Sequence, residues 1–285
     1  MNLTQNPFSV YDFLGYLIPG IFFTLGIYII GLFPFEFQAL SFDSISSYQN
    51  SIIIFITCYL IGHIISFISS KTIEKYSVWT LGFPSTYLFG KQKIGFLSSI
   101  TSKYDKEHKL GSVARIIARL IMKFLISMII FPITFWDIII RHILRLHDQY
   151  ARPLDADLLN IVESRMNSLI QYKYGQPISD QENNDKRDYF RIIYHHSITN
   201  ATNHIPKIQN YVALYGFIRT TSFVFVCFFW TFFIKIVYLN TIKNYWWILF
   251  IISATTFILY LDFNKFYRKF SIEAIMAAIT IKEKT

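Results

Sequence analysis

Not one lysine or arginine occurs before position 71. All 27 basic residues lie from Lys71 onward, against 18 acidic residues in the whole chain. An absence this long is first a membrane-topology signal, and only second a hint of an acidic partner such as nucleic acid. Charge of either sign is also scarce. Charged residues make up 16% of the chain, where a soluble domain carries about 25%. Cysteine occurs twice, as Cys58 and Cys227, both inside apolar stretches, which excludes a disulfide framework or a cysteine zinc site. No glycine-rich phosphate loop ends in Lys-Ser or Lys-Thr, and no dinucleotide fingerprint is present. Ser85 and Ser98 lack a glycine elbow, so a serine hydrolase has no support. The N-terminus has neither a basic n-region nor a small-residue cleavage site, so the first apolar stretch is expected to stay in the mature protein.

What fills the chain instead is apolar: 53% hydrophobic and 19% aromatic residues, gathered in long runs. Ser51 to Ser70 holds no Lys, Arg, Asp or Glu and is long enough to cross a bilayer as a helix. Cys58, Gly62, Ser66 and Ser70 recur every fourth residue, a stripe of small side chains that admits a close helix neighbour. Phe13 to Leu32 is the first span, broken by Pro19-Gly20, with Gly20 and Thr24 placed to meet that stripe. Gly216 to Leu239 and Tyr245 to Leu261 are the third and fourth, the last led by Trp246-Trp247, indoles suited to a membrane interface. The predicted fold is all-α: four transmembrane helices with a helical cytoplasmic insertion between spans two and three. The segments are 1–70 for spans one and two, 71–205 for the insertion, 206–262 for spans three and four, and 263–285 for a basic cytoplasmic tail. Positive residues just after span two place that side, and both termini, in the cytoplasm of a bacterial inner membrane.

Within the insertion, turn-rich elements are expected from Lys71 to Lys109, and helices at Leu154 to Tyr172 and Asp188 to Thr199 around a polar loop, Gly175 to Arg187. Pro206 suits the first turn of a helix running unbroken into span three. Val113 to Leu146 admits three placements: interfacial or re-entrant helices, a true span, or a soluble core helix. Arg115, Arg119 and Lys123 fall on one helix face, and Asp137, Arg141 and Arg145 repeat the spacing. A basic stripe opposite an apolar face favours the interface. These three bases, with Lys265, Arg268 and Lys269 of the tail, read as contacts to anionic lipid headgroups, a simpler account than nucleic-acid stacking.

Asp12, His63, Arg219 and Asp262 are expected at similar depth near the cytoplasmic face. Ionisable residues in spans are costly unless paired or facing water. They form either a gating cluster or a set of helix-end tethers, with Arg219 pairing with Asp12 or Asp262. His195-His196 and His204 lack a ligand-completing partner at metal spacing, so no metal or other cofactor is expected and no catalytic residue is assigned.

Three stretches, Asp12-Phe-Leu-Gly-Tyr-Leu-Ile-Pro-Gly20, Leu60-Ile-Gly-His-Ile-Ile-Ser66 continuing through Glu74 to Gly82-Phe-Pro84, and Leu214-Tyr-Gly-Phe-Ile-Arg219, resemble a loose group of four-span bacterial membrane proteins associated with phage-defence neighbourhoods. The resemblance implies an effector that compromises the envelope, and it singles out Asp12, His63, Glu74 and Arg219. The expected function is a non-enzymatic membrane effector or channel-like subunit, homo-oligomeric and regulated from the cytoplasm by a partner protein or small ligand. The alternatives are a membrane anchor recruiting a cytosolic partner, and a membrane-embedded enzyme acting on lipid.

Overall fold

The computed structural model describes residues 12–31, 48–90, 110–144, 151–174, 190–239 and 245–280. All regular structure among them is helical, and four of these helices are long and apolar enough to cross a membrane. The chain is therefore an all-α, multi-pass membrane protein. A π-helical turn, Phe13–Leu17, leads into α1, Ile18–Gly31. Then come α2, Tyr48–Ser69, a second π-helical turn, Ser70–Glu74, and α3, Lys75–Thr80. Short α4, Pro84–Tyr87, is followed by α5, Leu110–Ile129, and α6, Phe131–Ile138, the latter extended by a π-helical turn, Ile139–Ile143. Next are α7, Ala156–Tyr174, and α8, Phe190–Asn200. Two 35-residue helices complete the described chain, α9, Ile205–Leu239, and α10, Trp246–Thr280.

The axis of the molecule is the antiparallel pair of α9 and α10, each about 52 Å long. Contacts run along the whole seam. Phe233 meets Trp246 near one end, Ser222 donates a hydrogen bond to the Thr256 carbonyl in the middle, and Tyr215 packs on Phe263, Tyr267 and Phe270 towards the other. Different forces hold the two halves. Between spans there is no hydrophobic drive, so close packing and interhelical hydrogen bonds hold the helices together. At the far end of the pair, the distal bundle, Ile275 and Ala278 of α10 join Val162, Met166, Ile193 and Leu88 in a second apolar core, held together by apolar burial. Ser197 of α8 ties into this bundle by donating to the Ala274 carbonyl at 2.7 Å.

Two expectations change. Residues 263–280, expected as a basic tail, instead continue α10 to Thr280, and this far half is the centre post of the distal bundle. Span two does not end at Ser70 in turns. It runs on through the π-helical turn to Thr80, and turns begin only at Leu81, with Gly82 at positive φ. The described part of α8 begins at Phe190 and α7 spans Ala156–Tyr174, close to the periodicity-based ranges. Helix α9 does run unbroken from the turn holding Pro206 through span three. Residues 32–47, 175–189, 240–244 and 281–285, which carry the loop, turn and tail-end expectations, lie outside the described residues.

Candidate functional site

The site is built where the spans leave the apolar zone. Ser66 and Ser69 of α2 and Glu74 at the end of the π-helical turn all face α9. A regular helix would carry Glu74 away from the line of Ser66 and Ser69. The π-helical turn at Ser70–Glu74 widens the backbone and resets that register. Arg219 of α9 meets all three. Its Nη1 forms an ion pair with Glu74, its Nε donates to Ser69 Oγ at 3.2 Å, and Nη2 reaches Ser66 Oγ at 3.4 Å. The guanidinium side chain is 9% exposed and the Glu74 side chain 28%. Charge is therefore deeply enclosed on one side of the pair and open to the surroundings on the other.

A second polar cluster sits beside it. Asp137 of α6 accepts Tyr76 Oη at 2.5 Å and Arg141 Nε at 2.7 Å, and pairs with Arg141 Nη2 as well. Asp137 and Arg141 are buried, and Tyr260 of α10 packs on Tyr76 at 6.0 Å between centroids. Next to Tyr76, Ser77 donates a hydrogen bond to Asn264, one turn along α10 from Tyr260, and the Asn264 amide donates to the Tyr260 carbonyl. These bonds lock α3, α6 and α10 together. Burying an ion pair is tolerated only when the remaining donors and acceptors are satisfied, and the tyrosine hydroxyl supplies one of those bonds.

The third feature faces outward. The His63 ring stacks on Tyr16 at 3.7 Å between centroids with 18° between planes, and Tyr59 meets it edge-on at 4.6 Å. His63 is nevertheless exposed, on a surface shared with Leu60, Ile64 and Phe67.

Arg219 forms its ion pair with Glu74, which the π-helical turn brings to it. Asp262 pairs with Lys265 at 3.4 Å, one turn along α10. Asp12 is half-buried at the head of the first helix, and His63 engages rings and faces outward. The small-residue stripe divides between two neighbours. A Cβ on Gly20 would collide with the Cys58 carbonyl, and one on Gly62 with the Tyr16 carbonyl, so α1 and α2 touch backbone to backbone there. Cys58 Sγ lies 3.7 Å from Thr24 Oγ1. Ser66 turns to Arg219 instead, and the Ser70 hydroxyl donates back to Phe67 of its own helix.

Of the bases expected at headgroups, Lys123 is buried, its Nζ 5.4 Å above the Trp79 ring. Arg268 donates to the Arg152 carbonyl within the distal bundle. Lys265 and Lys269 are exposed and flank Phe266 at 5.5 Å each, and Arg119 is exposed. The side chain of Arg115 lies outside the described residues. No group of three or more His, Cys, Asp or Glu with metal-site geometry occurs among the described residues. His204 pairs with Glu273 at 2.9 Å, and Lys207 meets the other carboxylate oxygen at 2.7 Å.

Asp137 and Arg141 were read from sequence as part of an interfacial stripe. The usable signal was their opposite charge at i,i+4 inside an apolar run, a spacing that lets two charges neutralise each other before burial. Tyr76 carried no such signal. No protein family, curated protein or solved structure matches this chain.

Proposed function

We propose that this chain is a non-enzymatic membrane effector subunit that acts as a homo-oligomer in the bacterial inner membrane, with both termini and the distal bundle in the cytoplasm. A cytosolic partner protein or small ligand acting on the distal bundle regulates it, and the resemblance to defence-associated proteins points to membrane disruption during phage infection. The observation that carries the reading is the outward-facing His63. It lies on α2, eleven residues before Glu74, about 16 Å along the helix from the Arg219 ion pair. A polar ring at that depth is unfavourable against lipid, and a second copy covering Tyr16, Tyr59 and His63 removes that penalty. Two unbroken 35-residue helices joining the distal bundle to the spans supply the mechanical link that regulation requires.

The test is membrane potential and dye entry in bacteria after induced expression, comparing wild type with His63→Ala at matched membrane levels. Depolarisation by wild type that is weakened in the variant supports the effector reading. If membranes hold only monomers after crosslinking, with no depolarisation during phage challenge, the effector reading fails. The membrane-anchor alternative then takes its place.

A further inference from the structure

Helices α5 and α6 meet at Ile130 with their axes bent by 97°. We infer that they form a V-shaped re-entrant wedge, which enters the leaflet on the distal-bundle side, turns near the bilayer midplane, and presents the apolar surface of α5 to lipid chains.

The depth assignment comes from the neighbours of each limb. At the apex, the Trp230 indole donates to the Ile129 carbonyl at 2.7 Å, and the Phe131 ring lies 6.2 Å from Phe229. Trp230 is eleven residues beyond Arg219 on α9, about 16 Å further along the helix. That is about half of the ~30 Å hydrocarbon core. Both limbs descend from there. On α6, Trp136 donates to Ser253 at 3.0 Å, and Asp137 then reaches Tyr76, just past Glu74. On α5, Lys123 reaches Trp79, one turn beyond Tyr76. Both limbs therefore approach α3 on the same side of the apex, α5 through the long Lys123 side chain. A continuous span would need them on opposite sides.

The break itself is made safe for a low-dielectric setting. A helix interruption in hydrocarbon leaves backbone groups unpaired, and such breaks occur only where protein satisfies them. Here the Trp230 indole donates to the Ile129 carbonyl, and the Thr134 hydroxyl shares its one proton between the Ser127 and Phe131 carbonyls, each at 3.1 Å. Pro132 in the first turn of α6 has no amide hydrogen to leave unpaired. Phe124, Leu125 and Met128 of α5 are exposed, and their position beside the apex makes the hydrocarbon of that leaflet their environment. Further along α5, exposed Arg119 beside exposed Ile117 suits the headgroup boundary.

The experiment is depth measurement by spin labelling in vesicles of phosphatidylethanolamine and phosphatidylglycerol. Single cysteines are placed at the exposed positions Ile117, Phe124, Met128, Phe135 and Ile138 in a full-length chain carrying Cys58→Ser and Cys227→Ala. The ratio of oxygen to nickel-chelate accessibility is expected to rise from Ile117 to Met128 and fall again towards Ile138. A ratio that changes in one direction from Ile117 to Ile138 establishes a continuous span and overturns the wedge. Free access of the nickel chelate at Phe124 and Met128 also overturns it, as does shielding of both positions from oxygen and chelate alike, which would mean protein covers this face. Depth profile and depolarisation are separate readouts, so the wedge can fail without touching the effector reading.

Discussion

The Arg219–Glu74 pair makes an asymmetric prediction, because its two members are enclosed to different degrees. Replacing Glu74 by leucine leaves a guanidinium with 9% side-chain exposure and two hydroxyl acceptors at 3.2 and 3.4 Å, both long for a charged donor. An uncompensated charge at such a site costs about 3–5 kcal/mol. Replacing Arg219 by methionine instead strands a carboxylate that is 28% exposed and can turn to water. That loss is nearer to the ~1–3 kcal/mol of a single unsatisfied group. The double variant removes both charges and is expected to be more stable than Glu74→Leu alone, since a buried pair replaced by apolar groups is often neutral. The assay is reversible unfolding in mixed micelles by titration with dodecyl sulfate, followed by tryptophan fluorescence and helical circular dichroism. Two results refute the reasoning: Glu74→Leu within about 0.5 kcal/mol of wild type, the range of ordinary surface changes, or Arg219→Met the more damaging single change.

The same titration checks two further sites. Gly62→Ala forces the π-helical turn that leads into α1 away from α2, because the added methyl meets the rigid Tyr16 backbone. A loss of about 1–3 kcal/mol, the usual effect of overpacking, is expected, and an unchanged midpoint would mean that the helices are not in backbone contact. Asp137→Asn keeps the shape of its pocket but strips Arg141 of its counter-charge. It should destabilise by about 3–5 kcal/mol, whereas Tyr76→Phe, losing one hydrogen bond to Asp137, should cost about 1–3 kcal/mol; equal effects would argue against a buried ion pair.

The sequence by itself determined the class of this protein and most of its helices. Apolar runs near twenty residues long have few solutions other than membrane helices, and Pro206 marked the start of α9 because proline fits only the first turn. Gly20, Cys58 and Gly62 lie where α1 and its leading turn meet α2, while Ser66 and Ser70 of the same stripe turn elsewhere. What the sequence left open depended on register and on neighbours far along the chain. The π-helical turn at Ser70–Glu74 is written in no motif, yet it decides that Arg219 meets Glu74. The continuation of α10 into the distal bundle was hidden by its lysines and arginines. They resemble a headgroup-binding tail, although a helix can expose them on one face while Phe270, Ala274 and Ile275 are buried on another. The bend at Ile130 was equally undecided from sequence, because Pro132 permits either a kinked span or a reversal. The inferred reversal rests on the bond from Trp230 and on the approach of both limbs to α3, and such long-range contacts exist only after the helices have packed.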